Sequence, residues 1–181
     1  LQNLGKAFHG LGLYDESISA FRRAIKVRPG YVSLYRDLGL TYERIGDLEN
    51  AAEVYKLGQH NDSADGWFPY KIGAIHYRLG RLTRAETYFQ GSISTDDGFN
   101  KAHLGLANVL LRQGQKDQAL ASYLKALSLE PGDPLTHFAV ARIYLSKGST
   151  SMATEYLKSA LSLTDDETLK REINLVLNQS R

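Results

Sequence analysis

Five histidines and two pairs of adjacent aspartates are the residues of this chain whose types invite a search for chemistry. His103 and His137 stand 34 positions apart, and two imidazoles in one register could share a metal ion. His9, His60 and His76 complete the set. Asp96-Asp97 and Asp165-Asp166 could supply a general acid and a general base. Their surroundings favour other roles. His76, His103 and His137 each occupy a position where a packing residue recurs, and the aspartate pairs fall where the chain turns, a normal place for Asp. Phosphate-binding loops, nucleophile elbows and metal-protease signatures are absent from the sequence. There is no cysteine, which excludes a disulfide scaffold, a thiolate zinc site and a cysteine nucleophile. The expectation is a protein that is not an enzyme, with no catalytic residue, no metal and no cofactor.

The elements that would position any site come from the repeat. Gly12, Gly46, Gly80, Gly114 and Gly148 recur at intervals of 34. Five and nine residues after each glycine stand a small and a large residue: Ser17 and Phe21, Ala51 and Tyr55, Ala85 and Phe89, Ala119 and Tyr123, Ala153 and Leu157. A small residue returns at Ala24, Gly58, Ser92, Ala126 and Ala160. Before the glycines, Gly5, Gly39, Gly73, Ala107 and Ala141 are small, and Phe8, Tyr42, His76, Leu110 and Tyr144 follow three later. Tyr35, Leu38, Gly39 and Tyr42 are spaced i, i+3, i+4, i+7, one stripe of an α-helix. Gly46 suits a helix C-cap with positive φ. Three residues after each glycine stand Asp15, Glu49, Thr83, Asp117 and Ser151, four of them good N-cap types for the second helices, and Thr83 with Glu86 matches a capping box. Each period is therefore helix, tight turn, helix, with Gly39 and Ala51 letting two helices close. One such hairpin cannot bury its own apolar surface, so neighbours must stack.

These residues resemble the tetratricopeptide repeat family. The match includes Leu38-Gly39, Tyr42, Ala51, Tyr55 and the closing prolines Pro29 and Pro131. It implies an all-α fold, a right-handed superhelical solenoid of hairpins with a C-terminal capping helix. Five units are expected at 1–31 (partial), 32–65, 66–99, 100–133 and 134–165, with the capping helix at 166–181. Leu169, Ile173 and Val176 would face the stack, and Glu167 would pair with Arg171. The position of the family's early tryptophan is held by Leu1, Tyr35, Pro69, His103 and His137. Pro69 points to a helix that starts late, leaving Trp67 and Phe68 on an irregular approach. Ser63 and Asp97 stand where the second and third units lack a closing proline.

In the family the first helix of each hairpin lines a concave groove. Carried over, the groove holds the cations Lys6, Arg36, Arg44, Arg78, Lys101, Arg112 and Arg142 against the single anion Glu43. The rest of the candidate partner-binding set is Trp67, Tyr70, Tyr77, Asn108 and Phe138. Arg44, Arg78 and Arg112 also sit where a cation complements a helix C-terminus. The whole chain carries only +2, too little to argue for nucleic acid. The expected partner is a protein or peptide, acidic with apolar anchors. The family's carboxylate clamp is not reproduced, although Lys6, Arg36 and Asn108 are of its residue types. An RNA reader is disfavoured, because polar code residues would stand where Trp67, Tyr70 and Leu104 do.

No apolar run approaches the roughly 20 residues needed to span a bilayer. The chain opens on Leu1 rather than Met, which reads as processing, truncation or a fragment, so the sequence leaves open a targeting segment outside it. A soluble protein is expected, with cytoplasm and periplasm equally compatible. The alternative to a scaffold is a regulatory or substrate-docking region of a larger enzyme whose catalytic domain lies outside this segment.

Overall fold

The computed structural model describes residues 1–179 of the 181. Among them are eleven α-helices and no strand. They are α1 (Gln2–Gly10), α2 (Tyr14–Val27), α3 (Val32–Arg44), α4 (Leu48–Asn61), α5 (Trp67–Arg78), α6 (Leu82–Thr95), α7 (Asn100–Arg112), α8 (Lys116–Leu129), α9 (Pro134–Ser146), α10 (Thr150–Leu163) and α11 (Glu167–Gln179). The chain divides into two compact units, Leu1–Asp97 and Gly98–Arg181. The first contains three helical hairpins. The second contains two hairpins and α11.

The glycine register has a backbone cause. All five turn glycines take positive φ, between 71° and 81°. In the turn after α3, Gly46 N–H donates to the Glu43 carbonyl at 3.1 Å and Asp47 N–H to the Tyr42 carbonyl at 2.9 Å. Those are the two bonds of a Schellman motif, whose left-handed residue is glycine because a Cβ is penalised there. The same pair of bonds closes the other four turns. The turn is so short that the residue after glycine is already the N-cap of the next helix: Leu13, Asp47, Arg81, Gln115 and Ser149. The N-cap expectation was therefore two residues late. Asp15, Glu49 and Asp117 lie in the first helical turn, where a carboxylate complements the helix dipole. Thr83 does not cap α6, because Arg81 occupies that place. Of these five turns, Asp47 alone caps with its side chain, accepting from Asn50 N–H at 3.2 Å.

The small residues are needed where rings cross between helices. A Cβ at Gly39 would lie 2.1 Å from Tyr55 Cε1, and one at Gly58 would lie 2.3 Å from Phe68 Cε1. Phe68 is fully buried and α5 begins at Trp67, so the first turn is regular rather than an irregular approach. Pro69 is accommodated there because a first-turn N–H has no helical partner to lose. In the second unit one cluster joins Ala107, Leu110, Tyr123, Val140 and Ile143, and another joins Phe138, Leu157 and Ala160 to Ile173 of α11. Leu169 and Val176 flank that second cluster. Glu167 pairs with Lys170 at 2.9 Å, one position from the expected Arg171.

Candidate functional site

The first helices of the first unit present a laddered surface. Gln2 Nε2 donates to Ser33 Oγ at 3.0 Å and to Asp37 Oδ2 at 2.9 Å, and Lys6 Nζ lies 3.3 Å from Asp37. His9 Nδ1 and Thr41 Oγ1 are 3.0 Å apart. Between α3 and α5 two centres form. The Arg36 guanidinium pairs with Asp65 and lies 4.8 Å from the Trp67 ring centroid. Lys71 Nζ stands 5.7 Å from the same ring, and Tyr55 meets it edge-on at 5.2 Å.

The second centre is Glu43. It accepts the Tyr55 hydroxyl at 2.5 Å and pairs with Lys71 at 2.7 Å and Arg78 at 3.8 Å. Burial, and then Glu43 itself, push the Tyr55 hydroxyl far above its ordinary pKa, so it stays a donor. The same two causes raise Tyr70, whose ring leans on Phe89 at 6.1 Å. Tyr77 is half-buried and Arg78 exposed on α5. Arg44 donates to the Tyr14 hydroxyl at 3.2 Å, at the helix end.

The expected ledger of one anion is thus wrong for this unit. Asp37 and Asp65 also stand on the face, and Lys71 joins the cations. Lys6, Arg36, Lys71 and Arg78 are each answered by a carboxylate of the chain itself. One signal was available. Asp37 and Lys71 are 34 residues apart and so share a column beside the one holding Arg36 and Tyr70.

The second unit differs. Asn108 and Leu111 of α7, Lys116 and Tyr123 of α8, and Ala139 and Arg142 of α9 line one cleft of about 430 Å³. The Tyr123 hydroxyl donates to Asn108 Oδ1 at 2.5 Å. Lys101, Lys116 and Arg142 have no carboxylate within ion-pair distance among the described residues. Arg112 ends α7, two residues before the turn glycine. Phe138 does not belong on the surface. It is 6% exposed, in one cluster with Leu157 and Ala160 of α10 and Ile173 of α11, while Arg142 lies 5.9 Å over its ring.

His76 and His137 sit in packing positions. His137 Nε2 meets the Pro131 carbonyl at 2.8 Å with its ring on Tyr156. His76 is buried and stacked on Tyr88 at 5.4 Å. Burial, followed by Arg81, Arg84 and Lys56, lowers its pKa.

With the repeat geometry in place, sequence profiles of the tetratricopeptide repeat match residues 3–65, 101–133 and 136–167. The chain belongs to the tetratricopeptide repeat family. Among solved tetratricopeptide structures it is similar to that of MamA, with a TM-score of 0.81, 25% identity, and coverage of 96% of this chain and 97% of that one. It also superposes on YrrB, a TPR protein with an unusual peptide-binding site, with a TM-score of 0.76 and 17% identity over 96% of this chain and 90% of that one. That second likeness is one of fold. Human protein O-mannosyl-transferase TMTC2 is 33% identical over 101 residues, which are 53% of this chain and 12% of that protein. Human aspartyl/asparaginyl beta-hydroxylase is 30% identical over 112 residues, which are 59% of this chain and 14% of that protein. The chain therefore spans only a small part of either relative. Among the described residues no helix is long and apolar enough to cross a membrane.

Proposed function

We infer that this segment is a protein-interaction scaffold whose first-helix faces hold a partner segment carrying acidic and apolar residues. One observation carries the inference: these faces mix cations with apolar groups that the fold leaves partly in water. Leu40, Leu111 and Leu135 are exposed, Trp67 and Tyr77 are half-buried, and Lys101 and Arg142 are exposed. Aromatic and arginine side chains at such positions are the residue types that dominate interface energies. The segment then works by binding, and its histidines and carboxylates serve packing, capping and ion pairing. The inference is tested by capturing partners on the chain and following amide hydrogen exchange in each complex. Protection should concentrate on α3, α5, α7 and α9. Protection confined to α4, α6, α8 and α10 would remove the inference.

A second reading has its own support. Both relatives named above are enzymes that this chain matches over a small share of their length. A docking region beside a catalytic domain fits that pattern. Sequencing the transcript that encodes the chain decides it, since this alternative requires a catalytic domain on the same polypeptide.

A further inference from the structure

A second cleft, in the first unit, is lined by Lys6, His9, Phe21, Asp37 and Leu40. Adding 102 residues, three repeats, to each gives Asn108, Leu111, Tyr123, Ala139 and Arg142, all of which line the cleft of the second unit. The two clefts are the same place in the repeat with different side chains. In the first, Asp37 fills the niche with a carboxylate, held by Lys6 at 3.3 Å and Gln2 at 2.9 Å. In the second, the position of Asp37 is Ala139. The acid is gone, Lys6 has become Asn108, and the cations are instead Arg142 and Lys116.

Arg142, in the position of Leu40, and Lys116 at the rim carry no carboxylate partner among the described residues. Asn108 replaces Lys6, and because its Oδ1 accepts the Tyr123 hydroxyl at 2.5 Å, its Nδ2 is left as a donor. Leu111, 37% exposed, replaces His9 and adds an apolar wall. No residue lining this cleft is acidic.

We propose that the cleft of α7, α8 and α9 binds the side-chain carboxylate of a partner's Asp or Glu flanked by an apolar residue, in the niche that Asp37 fills in the equivalent cleft of the first unit. Arg142 would take the carboxylate in a forked pair and Asn108 Nδ2 would donate the third hydrogen bond. The neighbouring apolar side chain lies on Leu111 and Ala139. Lys116 speeds the encounter more than it holds the product. The proposal rests on the scaffold reading and adds the class of ligand and its place.

The test uses the full chain and a fluorescein-labelled peptide, acetyl-Gly-Leu-Glu-Leu-Gly-amide, followed by fluorescence anisotropy at low salt. A second peptide carries Gln in place of Glu. A third is neutral in its side chains and ends in a free terminal carboxylate. The Glu peptide should bind at least tenfold more tightly than the other two. Arg142→Met should abolish that preference, and Arg142→Lys should restore part of it. Ala139→Asp places the chain's own carboxylate in the niche and should lower affinity at least tenfold. Thermal melting separates this from unfolding, and the exposed Arg142 variants keep the test open if Ala139→Asp does not fold. Equal affinity for the Glu and Gln peptides overturns the proposal, as does tighter binding of the free terminus. If captured partners still protect the first helices while these variants bind normally, the scaffold stands and the carboxylate niche falls.

Discussion

Gly39→Ala should destabilise the first unit although alanine is the better helix former. The added Cβ would meet Tyr55 Cε1 at 2.1 Å and Cδ1 and Cζ at 2.6 Å. The ring would have to retreat by about 1.4 Å to reach a comfortable carbon contact of about 3.5 Å. It has nowhere to go. Tyr55 is fully buried, Trp67 and Phe68 crowd it, and its hydroxyl is tied to Glu43. Overpacking costs about 1–3 kcal/mol. Losing a hydrogen bond to a charged group costs a further 1.5–3 kcal/mol or so. Against these stands a gain of about 1 kcal/mol in helix propensity. The net expectation is a loss of about 1.5–5 kcal/mol. Trp67 is the chain's one tryptophan and touches the Tyr55 ring, so its fluorescence during urea titration reports this unit. Adding Tyr55→Leu should recover part of the loss, because the fifth hairpin pairs Ala141 with Leu157 in these same columns. A midpoint for Gly39→Ala equal to or above the parent's would refute the reasoning.

Three further outcomes follow from the same structure. Glu43→Gln should cost about 1–3 kcal/mol in urea midpoint, because Lys71 is left uncompensated in a half-buried site, whereas Arg78→Ala, removing a pair that is 3.8 Å long with the arginine 52% exposed, should cost less than about 0.5 kcal/mol. His76 has a lowered pKa in the folded chain, so the unfolded chain binds more protons; stability should be fully present above its unfolded value of 6.5 and be lost as pH falls from there through the folded value. His76→Phe should flatten that part of the pH–stability curve, and a curve parallel to the parent's would show that His76 does not cause it. Ile173→Asp puts a charge into the cluster of Phe138, Leu157 and Ala160, so the second unit should lose its α11 cover and self-associate, as light scattering would detect; a monodisperse variant of unchanged melting temperature would show that α11 is no cap.

The hairpins were legible in the sequence because each turn needs a residue at positive φ, and glycine alone takes that conformation without strain at Gly12, Gly46, Gly80, Gly114 and Gly148. The small and large columns were legible for a similar reason, since a ring such as Tyr55 crosses its neighbour only over a residue such as Gly39. Helix starts were misplaced by two residues because a Schellman turn this tight merges with the next N-cap. The charged face was read one helix at a time, which hid its lateral pairing. Asp37 answers Lys6 of the preceding hairpin, and Lys71 answers Glu43 of the preceding one. Phe138 carries the period of a surface position, but it is buried in a cluster that also holds Leu157, Ala160 and, from beyond its own repeat, Ile173.

The most direct measurement of the central claim is an unbiased selection of displayed peptides on the immobilised chain, repeated with the Arg142→Met and Tyr77→Ala variant. The scaffold reading predicts enrichment of peptides with Asp or Glu beside a large apolar residue, lost on the double variant and weakened by salt. Enrichment of basic peptides, or of acidic ones retained by the variant, would contradict it.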